Sequence, residues 1–145
     1  MPNDAPWMAY ADTVLRIGSR RQIRIDLRQP LSDDVRRLLT NLSPCGTFAV
    51  VTPFDPGGAR APAWKNWWRF VRMRATLSSR ALHFTLADGE SRDGAHRERG
   101  FAIAIGRGDA ASLARAHGQL ALYWFDGEAF WIDDVRTNRA PQRLP

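Results

Sequence analysis

Gly118-Gln-Leu-Ala-Leu-Tyr-Trp-Phe-Asp-Gly-Glu-Ala-Phe-Trp-Ile132 reads as a helix-ending glycine, a strand, a two-residue Asp126-Gly127 turn and a second strand. Asp-Gly between two apolar, aromatic-rich runs is a hairpin signal, because a type I′ turn requires positive φ at both central residues. Gln119 places one polar side chain at the mouth of the first strand.

Upstream of this hairpin, Asp109 is expected to cap a short helix over Ala110–His117, ended by Gly118. Phe101–Ile105 and Ala81–Ala87 alternate as strands around a charged segment, 88–100, read as a loop. A helix is predicted over roughly 63–76, with Trp64, Trp67, Trp68 and Val71 as its apolar stripe and Lys65, Arg69 and Arg72 as a basic one. Before it, Thr47–Thr52 is continuously apolar and β-branched, the pattern of a central strand. Pro53-Phe54-Asp55-Pro56-Gly57-Gly58 then forces a turn. Near the N-terminus, strands over Thr13–Ile17 and Gln22–Leu27 precede a helix capped by Ser32 and running to Leu42. The last ten residues, 136–145, read as a loosely packed tail.

From Thr47 onward the order is β-α-β-β-α-β, that of the ferredoxin-like split unit. The expectation is a single α+β domain over 1–145, with a mainly antiparallel sheet. The N-terminal strands and the C-terminal hairpin extend that sheet. Its second face must be covered by the first helix, by a partner or by water.

At 145 residues and 44% hydrophobic composition the chain can bury a core without metals or disulfides. The lone Cys45 excludes an internal disulfide and reads as a buried structural thiol. No secretory leader or bilayer-length apolar run is visible, so a cytoplasmic protein without membrane attachment is expected. Residues 1–80 carry 13 Lys and Arg against 6 Asp and Glu, whereas 81–145 carry 8 against 9. The first part could face an anionic partner; equally, arginine is this chain's default surface cation.

Gly106-Arg-Gly-Asp-Ala-Ala111 fits a dinucleotide-binding pattern, but a Rossmann site needs parallel strands and far more chain. His96-Arg-Glu98 has the H-x-E spacing of zinc deaminases, which also need two cysteines that this chain lacks. His83, His96 and His117 fall on different elements and do not suggest a metal centre. Asp55 and Glu98 stand out because both occupy turns rather than regular polar faces.

Three stretches together resemble a bacterial family known as domain of unknown function 3293. They are Phe48-Ala-Val-Val-Thr-Pro-Phe-Asp-Pro56, the segment Asp93-Gly-Ala-His-Arg-Glu98 leading into an apolar strand, and Gly118-Gln-Leu-Ala-Leu-Tyr-Trp124. Tyr10-Ala-Asp-Thr-Val-Leu-Arg16 looks like that family's start. The resemblance puts Asp55-Pro56 where the family has Asn-Pro, Leu120 where it often has Asn, and Asn66 at a family asparagine. It implies an architecture and no activity.

Asp55, Glu98 and Gln119 are expected to meet near one edge of the sheet, binding a polar group or locking three loops. Without an evident nucleophile–base pair or cofactor motif, the expected function is a non-enzymatic binding or regulatory module acting on a protein partner. Its interface would use Trp67 and Trp68, an excess of tryptophan being typical of interface anchors. The alternatives are a nucleic-acid module using Lys65, Arg69, Arg72 and Arg74, and a small enzyme with Asp55 or Glu98 as general base. Surface placement of Trp67 and Trp68 favours interaction; burial weakens it.

Overall fold

The computed structural model describes residues 5–137 and 139–145. In chain order the elements are α1 (Ala5–Ala11), β1 (Val14–Ile17), β2 (Ile23–Asp26), α2 (Asp33–Thr40), β3 (Phe48–Val51), α3 (Ala63–Ser79), β4 (Phe84–Glu90), β5 (Arg97–Ile103), α4 (Arg107–Ala116), β6 (Ala121–Phe125), β7 (Phe130–Asp134) and β8 (Gln142–Arg143). The fold is α+β: one eight-stranded sheet in the order β2-β1-β4-β5-β3-β6-β7-β8, every neighbouring pair antiparallel.

Alternation along the strands sends apolar side chains to both faces, so two cores form. On one face Phe70, Met73 and Leu77 of α3 and Ala110, Leu113 and Ala114 of α4 pack on Val51, Phe101, Ile103 and Trp124. On the other, Leu39 of α2 and Trp7 and Tyr10 of α1 lie over Leu15, Ile17, Phe48, Phe125 and Ile132. The second face is therefore covered by α2, as one of the expected options, and by α1, which alternation-based reading did not foresee.

Several expectations need correcting. The apolar stripe of α3 that enters the core is Phe70, Met73 and Leu77; Trp64, Trp67 and Trp68 are 64, 53 and 60% exposed. Both stripes have helical spacing, and packing on Phe101 selects the first: Phe70 stacks on that ring with centroids 4.8 Å apart. The charged segment 88–100 is largely strand. Asp88 pairs with Arg99, Gly89 with Glu98 and Glu90 with Arg97 in register. The charges alternate so that Asp88 meets the guanidiniums of Arg97 and Arg99 across β4 and β5, which makes a polar sequence a stable hairpin.

The β6–β7 connection spans Asp126–Ala129, and Gly127 alone among its residues has positive φ. The Asp126 carboxylate accepts from the N–H groups of Glu128 and Ala129 and from Trp131 Nε1, so a side chain closes the turn instead of type I′ geometry. Helix α4 starts at Arg107 with Gly106 as its cap, and Asp109 sits in its first turn. The tail expected to be loose is tied down at its end: β8 pairs with β7, Leu144 N–H donates to Phe130 O and the Leu144 side chain is buried. Cys45 is exposed, because it sits in the α2–β3 turn instead of in the strand that follows.

Candidate functional site

The turn after β3 builds the site. Thr52 Oγ1 donates to Arg99 O and accepts from Phe54 N–H, which bends the chain away from the sheet. The next residue, Asp55, precedes Pro56, and a residue before proline is driven out of right-handed helical space. Asp55 takes the left-handed conformation, φ 48° and ψ 58°. Aspartate tolerates that region better than most residues, yet the conformation costs about 1–3 kcal/mol and persists only where neighbours hold it.

Asn66, on the buried face of α3, does the holding. Its Oδ1 accepts from Asp55 N–H at 3.0 Å and its Nδ2 donates to Asp55 Oδ1 at 2.8 Å. Ala61 N–H donates to the same Oδ1 at 2.8 Å. Asp55 is 5% exposed, and its second oxygen, Oδ2, is left aimed at the side chains of β5.

Those side chains are His96, immediately before β5, and Glu98 within it. Residues two apart on an extended chain share a face, so the H-x-E spacing delivers both to Asp55. His96 Nε2 lies 3.5 Å from Asp55 Oδ2 and 3.4 Å from Glu98 Oε1. Burial pushes the Asp55 carboxyl up, but the Ala61 N–H, the Asn66 amide and His96 outweigh it and hold the group below its ordinary range. Burial raises the Glu98 carboxyl; His96 opposes this and the nearby Asp55 adds to it. Two carboxylates with opposite shifts thus share one imidazole.

The cluster forms the polar end of a cavity of about 450 Å³ between α1, the turn after β3 and the start of β6. Leu15, Val50, Ala87 and Ile132 give it an apolar wall, and Tyr10 and Thr13 stand at its rim. Tyr123 Oη donates to Tyr10 O at 2.7 Å and fastens α1 over the sheet. Burial, then the charges of Glu98 and Asp134, raise the Tyr10 hydroxyl above its ordinary value.

Gln119 lines the same cavity but its amide works as a lock: Nε2 donates to Phe54 O at 2.9 Å. Beside it Gly118, at φ 70°, accepts from Gly57 N–H at 2.8 Å, and a Cβ there would come within 2.9 Å of Pro56. Asp55 and Glu98 therefore meet, while Gln119 fixes the loop that carries Asp55. Sequence reasoning missed His96 as the third member and α1 as the roof. The signals were present in the period-two spacing His96-Glu98 and in the Trp7, Tyr10, Ala11 stripe.

The other sequence-derived positions lie elsewhere. Lys65, Trp67, Trp68, Arg72 and Arg74 are exposed on α3. Arg69 is half-buried in a groove between α3 and α4 that also contains Arg72, Arg80 and His117. Burial, then the Arg72 charge, lower the His117 imidazole below its usual value. Cys45 thiol is lowered to about 7 by hydrogen bonds from Ser43 and Thr47. No helix among the described residues is long and apolar enough to cross a membrane.

Residues 51–122 match the model of a protein family described as "Protein of unknown function (DUF3293)", and this span contains Asp55, Asn66, His96, Glu98 and Gln119. Neither a curated protein nor a solved structure matches the chain.

Proposed function

The chain belongs to the DUF3293 family, and from its cleft we propose that it is a small-molecule-binding domain. The observation that carries this is the pairing of buried Asp55 and half-buried His96 and Glu98 with an apolar-walled cavity of about 450 Å³. Small-ligand sites combine such walls with a few convergent polar groups. The ligand would place an apolar body against Leu15, Val50 and Ile132 and a polar head against the cluster. The arrangement of β4-β5-β3-β6 with α3 and α4 supports reading the middle of the chain as a ferredoxin-like unit, with α1 added as the roof of the site.

The test is a fragment screen by ligand-observed NMR on the metal-free full chain, with binding located from the amide shifts of the protein. Hits that shift Tyr10, His96 and Ala121 and that disappear in Ala121→Trp, which fills the cavity, support the reading. Hits confined to other surfaces overturn it.

A second reading, a surface for a protein partner, is favoured by the exposed tryptophans of α3. Trp64, Trp67 and Trp68 stand beside Lys65, Arg72 and Arg74, a pattern of aromatic anchors ringed by cations that suits an acidic protein surface. Its test is capture from nuclease-treated lysate by wild type and by Trp67→Ser/Trp68→Ser. Capture lost in the variant supports it. Capture abolished by nuclease alone assigns the face to nucleic acid instead, and capture unchanged in the variant overturns it.

A further inference from the structure

We propose that Asp55, His96 and Glu98 bind one divalent transition-metal ion of the zinc or manganese type, at the polar end of the cleft. The proposal rests on the reading of that cleft as a ligand site, and it names what the polar end holds.

Distances carry the argument first. His96 Nε2 sits 3.5 Å from Asp55 Oδ2 and 3.4 Å from Glu98 Oε1, and one ligand atom from each residue lies within 4.8 Å of the others. Both contacts are longer than the about 2.7–3.2 Å of a good hydrogen bond, so neither carboxylate holds the imidazole tightly. Two ligands held by a common ion at about 2.1 Å in tetrahedral geometry are about 3.4 Å apart. The spacing of the three ligand atoms matches that of atoms around one shared ion.

Charge is the second observation. Asp55, Asp88 and Asp133 are the aspartates buried among the described residues. Asp133 is met by Arg107 and Asp88 by Arg97 and Arg99. Asp55 is met by His96, and a second carboxylate, Glu98, faces the same imidazole. Among the described residues no lysine or arginine pairs with either carboxylate. A bound cation supplies the missing positive charge.

Orientation is the third. Asp55 Oδ1 is occupied by Asn66 Nδ2 and Ala61 N–H, which leaves Oδ2 of a 95% buried carboxylate directed at the cluster. Hydrogen bonds to the far oxygen are how ligating carboxylates are held in place. Two oxygens and one imidazole nitrogen suit zinc or manganese. Three protein ligands leave a position open, and here it opens into the cavity, where the ligand's head would present an oxygen donor.

The experiment uses the untagged full chain, stripped by chelator. Zn²⁺ and Mn²⁺ are titrated by calorimetry, and Co²⁺ by visible absorption as a geometry probe. One equivalent is expected to bind, with affinity falling at least about tenfold in His96→Ala and in Glu98→Gln. His117→Ala, remote in sequence and in the α3–α4 groove, is expected to bind as wild type does. His96 is half-buried, and circular dichroism confirms that its variant is folded. Failure of the stripped wild type to bind any of the three ions, or equal binding by His96→Ala, overturns the proposal. Fragments that still shift Tyr10 in a protein that binds no ion overturn the metal site alone. Metal binding without fragment binding overturns the small-molecule reading alone.

Discussion

Asp133 and Asp55 are both buried aspartates, and the chain treats them in opposite ways. Asp133, in β7, receives a two-point pair from Arg107, with Nε and Nη2 each 2.6 Å from a carboxylate oxygen. Arg107 in turn lies over the rings of Trp124 and Trp131, at 5.8 and 5.5 Å from their centroids. Asp55 receives neutral amides, a histidine and the neighbourhood of another carboxylate. The chain has 21 lysines and arginines, so the lack of one beside Asp55 reflects the place, not the composition. Asp133 is satisfied within the fold. Asp55 is oriented by the fold and left with an oxygen to offer.

This contrast can be broken most strongly at Asn66. Asn66→Ala removes both hydrogen bonds that hold the left-handed Asp55 turn and strands buried polar groups. It is expected to cost about 2–4 kcal/mol in urea unfolding. A loss below about 1 kcal/mol shows that the turn is held elsewhere.

Arg107→Ala comes next. It leaves the Asp133 carboxylate buried without its partner, but Arg107 is 40% exposed and water partly replaces it. About 1–3 kcal/mol of destabilisation is expected, read by the same measurement.

Asp55→Asn sharpens the comparison from the other side. Asparagine accepts the left-handed conformation, can keep its oxygen on Ala61 and Asn66, and turns a donor toward Glu98. In metal-free protein its stability should lie within about 1 kcal/mol of wild type, whereas Asp133→Asn should destabilise more. Equal losses in the two variants would remove the distinction drawn between the sites.

The smallest effect is expected at Cys45, which belongs to neither pair. Its thiol is lowered from 9.0 to about 7, so the thiolate accumulates as pH rises through 7. Alkylation by iodoacetamide should climb through neutral pH and level off by about pH 8, with the melting temperature unchanged after modification. A rate still rising at about pH 9 marks an ordinary thiol.

Much of the fold was legible. Strand positions, the Ser32 cap, whose Oγ accepts from Val35 N–H, and the left-handed Gly118 follow from local rules. Asp55 and Gln119 were recognisable because a polar residue at a strand end or turn has few structural reasons to be there, whereas Glu98, singled out as a turn residue, lies within β5. The Trp stripe of α3 was misread because Trp64, Trp67 and Trp68 share helical spacing with Phe70, Met73 and Leu77, and periodicity does not say which stripe faces inward. The hairpin over 88–100 was misread because its charges look like a loop until Asp88 is set opposite Arg97 and Arg99.

By itself the amino-acid order determined most of the elements: alternation, capping and breakers act over a few residues and need nothing from afar. It carried the spacing of His96 and Glu98, which share a face once the pairing of β4 and β5 extends the chain, since an extended chain repeats every two residues. Tertiary structure alone decided which helix stripe became core, that α1 roofs the cleft, and which aspartate went without an arginine. Those outcomes depend on residues such as 55 and 96, or 107 and 133, meeting in space, and pairing at that separation is set by the packing of the whole sheet.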